Sequence, residues 1–151
     1  MVATQSGKLI VIDAADLIVG RLASRAAKLL LSGERVMIIN AEKAVLSGKK
    51  RVRMEEARRF LEIVGRANPK YGPRHPRTPD GMLRRTIRGM LPMDKPKGQK
   101  AFQSLRVYVG VPPELQQATR DTFSDASAER LKGPSTRLGV IAREIGWKGV
   151  E

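Results

Sequence analysis

Leu9-Ile10-Val11-Ile12, then Leu22, Ala26, Leu29 and Leu30 at helical spacing, then Val36-Met37-Ile38-Ile39: this opening stretch decides the fold class. A strand with one wet face alternates polar and apolar residues. Neither four-residue run alternates, so each reads as a strand buried on both faces. The i, i+4, i+7, i+8 spacing between them predicts a helix over Gly20 to Leu31 that buries one side. Asp16 lies in the turn before that helix, and Gly33 closes it. Strand, helix and strand in so short a span make a right-handed βαβ unit, hence an α/β core.

Working outward, Lys50 to Val64 follows Ser47-Gly48 and predicts a helix with Ala57, Phe60, Leu61 and Val64 inward. Its outer face would carry the i, i+4 pairs Glu55 with Arg59 and Arg58 with Glu62, and Gly65 would end it. Helical period returns over Gly81 to Leu91, placing Met82, Leu83, Ile87, Met90 and Leu91 on one side and Arg84, Arg85 and Arg88 on the other. Pro92 stops it. A short helix from Lys97 to Ser104 leads into Leu105 to Val109, where Leu105, Val107 and Val109 alternate with Arg106 and Tyr108 as in an outer strand. Gly110, Pro112 and Pro113 turn the chain, and Pro113 suits the first position of a short helix. Residues 121 to 136 read as irregular or weakly helical. Ser135 or Thr136 is expected to cap a last helix from Arg137 to Ile145, with Leu138, Ile141 and Ile145 inward and Gly146 as its stop.

The 151 residues suit one domain over 1–151, and with glycine added to the 41% hydrophobic residues the apolar share is ordinary for a folded chain. The absence of cysteine excludes disulfides, thiolate zinc sites and cysteine nucleophiles. The longest apolar runs are far too short to cross a membrane. The N-terminus lacks the basic and apolar regions of a signal peptide, so a cytoplasmic location is expected.

Charge is the unusual term. The chain carries a net +14, which predicts a polyanionic partner. The stretch from Gly65 to Lys100 holds +8 of it, together with six of the nine prolines. Residues 66–100 therefore read as an extended basic arm punctuated by Asn68-Pro69, Gly72-Pro73, His75-Pro76 and Thr78-Pro79, since each pre-proline residue is pushed out of the helical region. Its candidate RNA contacts are Arg66, Lys70, Arg74, His75, Arg77, Arg84, Arg85, Arg88, Lys95, Lys97 and Lys100. Arginine predominates, offering planar forks for phosphates and for stacking on bases. A second cluster, Lys49, Lys50, Arg51 and Arg53, opens the 50 to 64 helix, where the helix dipole disfavours cations and phosphate contact would explain them. Structured RNA fits this chemistry best. With six aromatic residues in all, a surface of base-stacking platforms is not expected.

A nucleotide-dependent enzyme on the same scaffold is the alternative. It would need a glycine-rich turn after the first strand, where the chain instead has Asp13-Ala14-Ala15-Asp16, whose carboxylates repel phosphate. Lys43 and Lys50 also break the phosphate-loop pattern around Ser47-Gly48-Lys49. His75 is the only histidine, and no acidic cluster has metal-ligand spacing, so no catalytic site, metal or cofactor is expected. Glu42 and Lys43 could pair locally.

Six segments then occur in a telling order: Val11-Ile12-Asp13-Ala14, Gly20-Arg21-Leu22-Ala23-Ser24, Ile39-Asn40-Ala41-Glu42-Lys43-Ala44, Ser47-Gly48, Arg88-Gly89-Met90-Leu91-Pro92, and Leu105-Arg106-Val107-Tyr108-Val109-Gly110-Val111-Pro112. Together they resemble the ribosomal protein L13 family of the large subunit, in its archaeal and eukaryotic branch. The resemblance implies a three-layer α/β/α core around a mainly parallel sheet of about four strands. It further implies a structural constituent of the large ribosomal subunit, bound to 23S-type ribosomal RNA and to neighbouring ribosomal proteins. Support of subunit assembly without catalysis, small-molecule substrate or membrane follows from the same resemblance. The Arg88 to Pro92 motif and the basic loop before it would face the RNA.

Overall fold

The computed structural model describes residues 7–149. Strand β1 (Leu9–Asp13) is followed by helix α1 (Val19–Leu31) and strand β2 (Arg35–Ile39), which pairs with β1 in parallel. This is the βαβ unit that the opening stretch predicts. Strand β3 (Val45–Ser47), helices α2 (Lys50–Glu62), α3 (Pro79–Gly89) and α4 (Pro96–Gln103), and strand β4 (Leu105–Val107) follow. Strands β5 (Arg120–Asp121) and β6 (Ser135–Arg137) and helix α5 (Leu138–Glu144) complete the order. The four-stranded parallel sheet runs β4-β2-β1-β5, so β4 is an outer strand as its alternation predicts, and β3 pairs with β6 in a small antiparallel ribbon.

The two faces of the sheet are read directly from alternation along its strands. Ile12, Val36, Ile38 and Leu105 pack with Leu22, Ala26 and Leu30 of α1 and with Leu83 and Ile87 of α3. Each such aliphatic side chain contributes roughly 1.5–3 kcal/mol on burial, so this layer dominates the fold's stability. Val11 and Ile39 face the other way, against Leu115 and the partly buried Met37, Tyr108, Val111 and Ala118. That second layer is thin, built from irregular chain and the short 3-10 turn Pro113–Leu115, with Pro113 in the first turn.

Helix α1 has no side-chain N-cap, so packing holds it in place. Gly33 follows its end with φ +94°, the left-handed conformation that closes a helix. At the C-terminal ends of the strands, Asn40 takes the same left-handed region, is buried, and donates from Nδ2 to Asp13 Oδ1 at 2.9 Å. Asp13 Oδ1 also accepts from the Ala15 N–H at 3.0 Å. Glu42 does not pair with Lys43; its carboxylate accepts from the Gly110 N–H at 2.9 Å. In open α/β sheets this edge is where ligands bind. Here its polar side chains are spent on joining three turns of the backbone.

Four local expectations are corrected. Helix α2 ends at Glu62, and none of its residues is buried. Ala57, Phe60 and Leu61 do face the body, but across an unfilled apolar groove of about 370 Å³ shared with Met82, Leu138 and Ile145; Phe60 stays 44% exposed. Val64 lies past the helix and is 54% exposed. The ion pairs of α2 are Arg51 with Glu55, Arg53 with Glu56, and Arg58 with Glu144 of α5, in place of the two expected i, i+4 pairs. Ser135 and Thr136 are not caps: both belong to β6, where Thr136 is buried and donates from its hydroxyl to the Gly48 carbonyl at 3.3 Å. Pairing with β3 holds those residues extended, so α5 begins only after Arg137.

Candidate nucleic-acid interface

The basic segment divides at Thr78. Residues 63–78 run over the surface with one 3-10 turn, Pro69–Tyr71, and no buried residue. From Pro79 onward the same segment is part of the body, because α3 carries an apolar stripe that the preceding residues lack. Pro79, Leu83 and Ile87 are fully or almost fully buried. Helix geometry then sends Arg84, Arg85 and Arg88 to the opposite side, all three exposed. The outward arginines are thus mounted on a helix anchored by its own inner face, the arrangement that keeps a binding surface in register.

Arg74, His75, Arg84, Arg85 and Arg88 line one open depression of about 570 Å³, together with Pro76, Gly81 and Phe102. Its side chains are held in place. The Arg84 guanidinium lies 4.7 Å from the Phe102 ring centroid, and that of Arg85 lies 5.4 Å from the Phe60 ring. Arg85 also donates to the Arg74 carbonyl at 2.7 Å, tying the loop to the helix. His75 bridges through Nε2 to the Ile63 carbonyl at 2.7 Å and meets Phe60 edge-on with ring centroids 4.4 Å apart. None of these arginines is in an ion pair among the described residues, and no carboxylate lines the depression. Four unneutralised guanidinium groups around a shallow concavity make a strongly positive surface with the donor chemistry that suits phosphate oxygens.

The remaining candidates are placed elsewhere. Arg66 and Lys70 are exposed on the loop, whereas Arg77 turns its Nη1 to the Ile145 carbonyl at 3.4 Å and so braces α5. Lys50 and Arg51 line a separate depression with Glu55 and Arg58 at α2. Lys49 is the N-cap residue of that helix, without a side-chain bond. Arg53 folds back, donating to the Ser47 carbonyl at 2.6 Å and to Glu56 at 2.7 Å, so its charge is largely spent locally. Lys97 and Lys100 of α4 border a third depression with Lys8 and Glu34, and Lys95 is exposed at the N-terminus of that helix.

The sequence reading missed the aromatics. Phe60 and Phe102 back the arginines, and Tyr71 stands among the loop cations with the Lys70 ammonium 5.9 Å from its ring. The available signal was position: three of the chain's six aromatics fall between residues 60 and 102, the span that holds the basic segment.

Among the described residues no group of His, Asp or Glu could hold a metal ion, and no helix is long and apolar enough to cross a membrane.

Comparison with known proteins places this surface in context. The ribosomal protein L13 family model matches residues 7–114, which take in β1 to β4 and the whole arginine surface. The chain is similar to the large ribosomal subunit protein uL13 of Aeropyrum pernix, with 45% identity over 150 residues, 99% of this chain and 97% of that protein. It is 46% identical to uL13 of Methanosarcina barkeri over 140 residues, covering 91% and 98% of the two chains. The uL13 of Archaeoglobus fulgidus is 40% identical over 152 residues, covering 99% and 96%. A family match over most of the chain and relatives aligned almost end to end lead to one conclusion: the chain belongs to the ribosomal protein L13 family.

Proposed function

We propose that this protein is a structural constituent of the large ribosomal subunit, that it binds 23S-type ribosomal RNA through the arginine surface of α3 and the 63–78 loop, and that it supports subunit assembly. The observation that carries this reading is the placement of Arg74, Arg84, Arg85 and Arg88 around one depression with no carboxylate beside them. Such a surface stays hydrated and self-repelling until phosphates neutralise it. The α/β body acts as a platform that fixes the arginines, and no step of chemistry is assigned to any residue. The cytoplasmic ribosome is the location this role implies, with other large-subunit proteins as neighbours. Lys49, Lys50 and Arg51, and separately Lys95, Lys97 and Lys100, are outlying contacts on other faces of the platform, which suits a protein wedged between several RNA segments. Arg53 and Arg77 contribute mainly to the fold.

The test is sedimentation with large subunits through a high-salt wash, paired with binding to isolated large-subunit RNA. A protein making several phosphate contacts loses about three orders of magnitude in affinity or more between roughly 50 and 200 mM salt. Flat affinity over that range would overturn the reading. The nucleotide-enzyme alternative gains nothing from the strand ends, where Asp13 and Glu42 are engaged with backbone amides.

A further inference from the structure

The 63–78 loop has a built tip. Gly65 and Gly72 lie against each other: a Cβ on Gly72 would stand 2.9 Å from the Gly65 nitrogen, so the two strands of the loop close at a contact only glycine permits. Between them the Asn68 side chain accepts from the Lys70 N–H at 3.2 Å, and the Gly72 N–H donates to the Pro69 carbonyl at 3.1 Å, shaping the 3-10 turn Pro69–Tyr71. The turn presents Tyr71, 80% exposed and the most exposed of the large apolar side chains among the described residues. An aromatic ring kept in water at the tip of an ordered turn gains nothing for the fold. Its neighbours Arg66, Lys70 and Arg74 are all exposed, and no Asp or Glu occurs between Glu62 and Asp80.

We propose that Tyr71 is a stacking residue that takes an unpaired nucleobase of ribosomal RNA on its ring face while Arg66, Lys70 and Arg74 hold the flanking phosphates. This rests on the RNA-binding reading above and adds to it the class of ligand at the loop tip. A base offers a flat face of the ring's own size, and the surrounding cations favour a polyanion over an apolar protein surface. Because the loop is closed before binding, little ordering cost attends the stack.

The experiment uses the full chain with isolated large-subunit RNA and two substitutions, Tyr71→Ala and Tyr71→Trp. Loss of one base stack weakens binding roughly 5- to 150-fold, and tryptophan restores it. The slope of log affinity against log salt stays as in the unsubstituted protein, since no phosphate contact is removed. Ultraviolet irradiation of the complex joins RNA to the peptide containing Tyr71. The proposal is overturned if Tyr71→Ala binds within about twofold of the parent while an Arg84/Arg85/Arg88 variant is weakened, which would leave the RNA reading standing. It is equally overturned if Tyr71→Ala binds free RNA normally yet fails to stay in subunits, which would make Tyr71 a protein contact. If neither variant changes a weak, salt-insensitive affinity, the RNA reading fails with it.

Discussion

Replacing Arg84, Arg85 and Arg88 together by alanine is the sharpest test of the division of labour within α3. All three are exposed and none is in an ion pair among the described residues, so the fold loses only what they do locally. That amounts to the contacts of Arg84 with Phe102 and of Arg85 with Phe60, about 0.5–1 kcal/mol each at exposed sites, and the hydrogen bond from Arg85 to the Arg74 carbonyl, about 1 kcal/mol net. A total near 2–3 kcal/mol lowers the melting temperature by roughly 4–12 °C for a chain of this size and leaves it folded at 25 °C. The effect on RNA binding is far larger in kind. Each phosphate contact contributes about 0.7–0.9 to the slope of log affinity against log salt, so removing three reduces its magnitude by roughly 2–3. The assay is a filter-binding titration on large-subunit RNA at a series of salt concentrations, with circular dichroism melts run alongside. An unchanged slope in a folded variant would show that these arginines do not meet phosphate, and the placement of the interface on α3 would be refuted.

Other expectations follow from the same packing. Ile87→Ala, on the inner side of α3, removes a fully buried side chain and costs about 2–5 kcal/mol in denaturant unfolding; a loss below about 1 kcal/mol would mean that α3 is not seated on the core. Hydrogen exchange should find the amides of α2 much less protected than those of α1, because α2 buries no residue whereas α1 buries six; equal protection would contradict the open groove beneath α2. The Arg25 guanidinium hydrogen-bonded to Asp125 holds its carboxyl below the usual carboxylate value. A lowered value in the folded state means that the pair's contribution is present above the unfolded carboxylate range and is lost as pH falls through the folded value. Asp125→Asn should therefore lower stability near neutrality and converge with the parent as pH falls below about 4, flattening the acid side of the curve, which acid titrations of the two proteins at fixed ionic strength would check.

The βαβ opening, the outer position of β4 and the two-faced character of α3 were legible in the chain because each rests on local periodicity. Leu83 and Ile87 stand opposite Arg84, Arg85 and Arg88 by helix geometry alone. The limits of α2 and α5 were not legible in the same way. Ala57, Phe60 and Leu61 have the spacing of a buried stripe, but whether a stripe is covered depends on what lies across from it, and only a groove does. Ser135 and Thr136 have the chemistry of caps, yet pairing with β3, distant in sequence, makes them a strand.

What the amino-acid order determined by itself was the α/β class, the concentration of charge in one segment, and the motifs that resemble the L13 family, since composition and short-range spacing need no knowledge of the neighbours. Tertiary structure decided which cations stand together. Side-chain reach is a few ångströms, and Arg74 stands beside Arg84, Arg85 and Arg88 where Arg85 ties its carbonyl to α3, while Arg53 and Arg77 of the same basic stretches are hydrogen-bonded to backbone carbonyls. The evenly basic arm of the sequence thereby becomes a rigid arginine face beside a closed loop, because burial of Leu83 and Ile87 orients one half of it and leaves the other half in water.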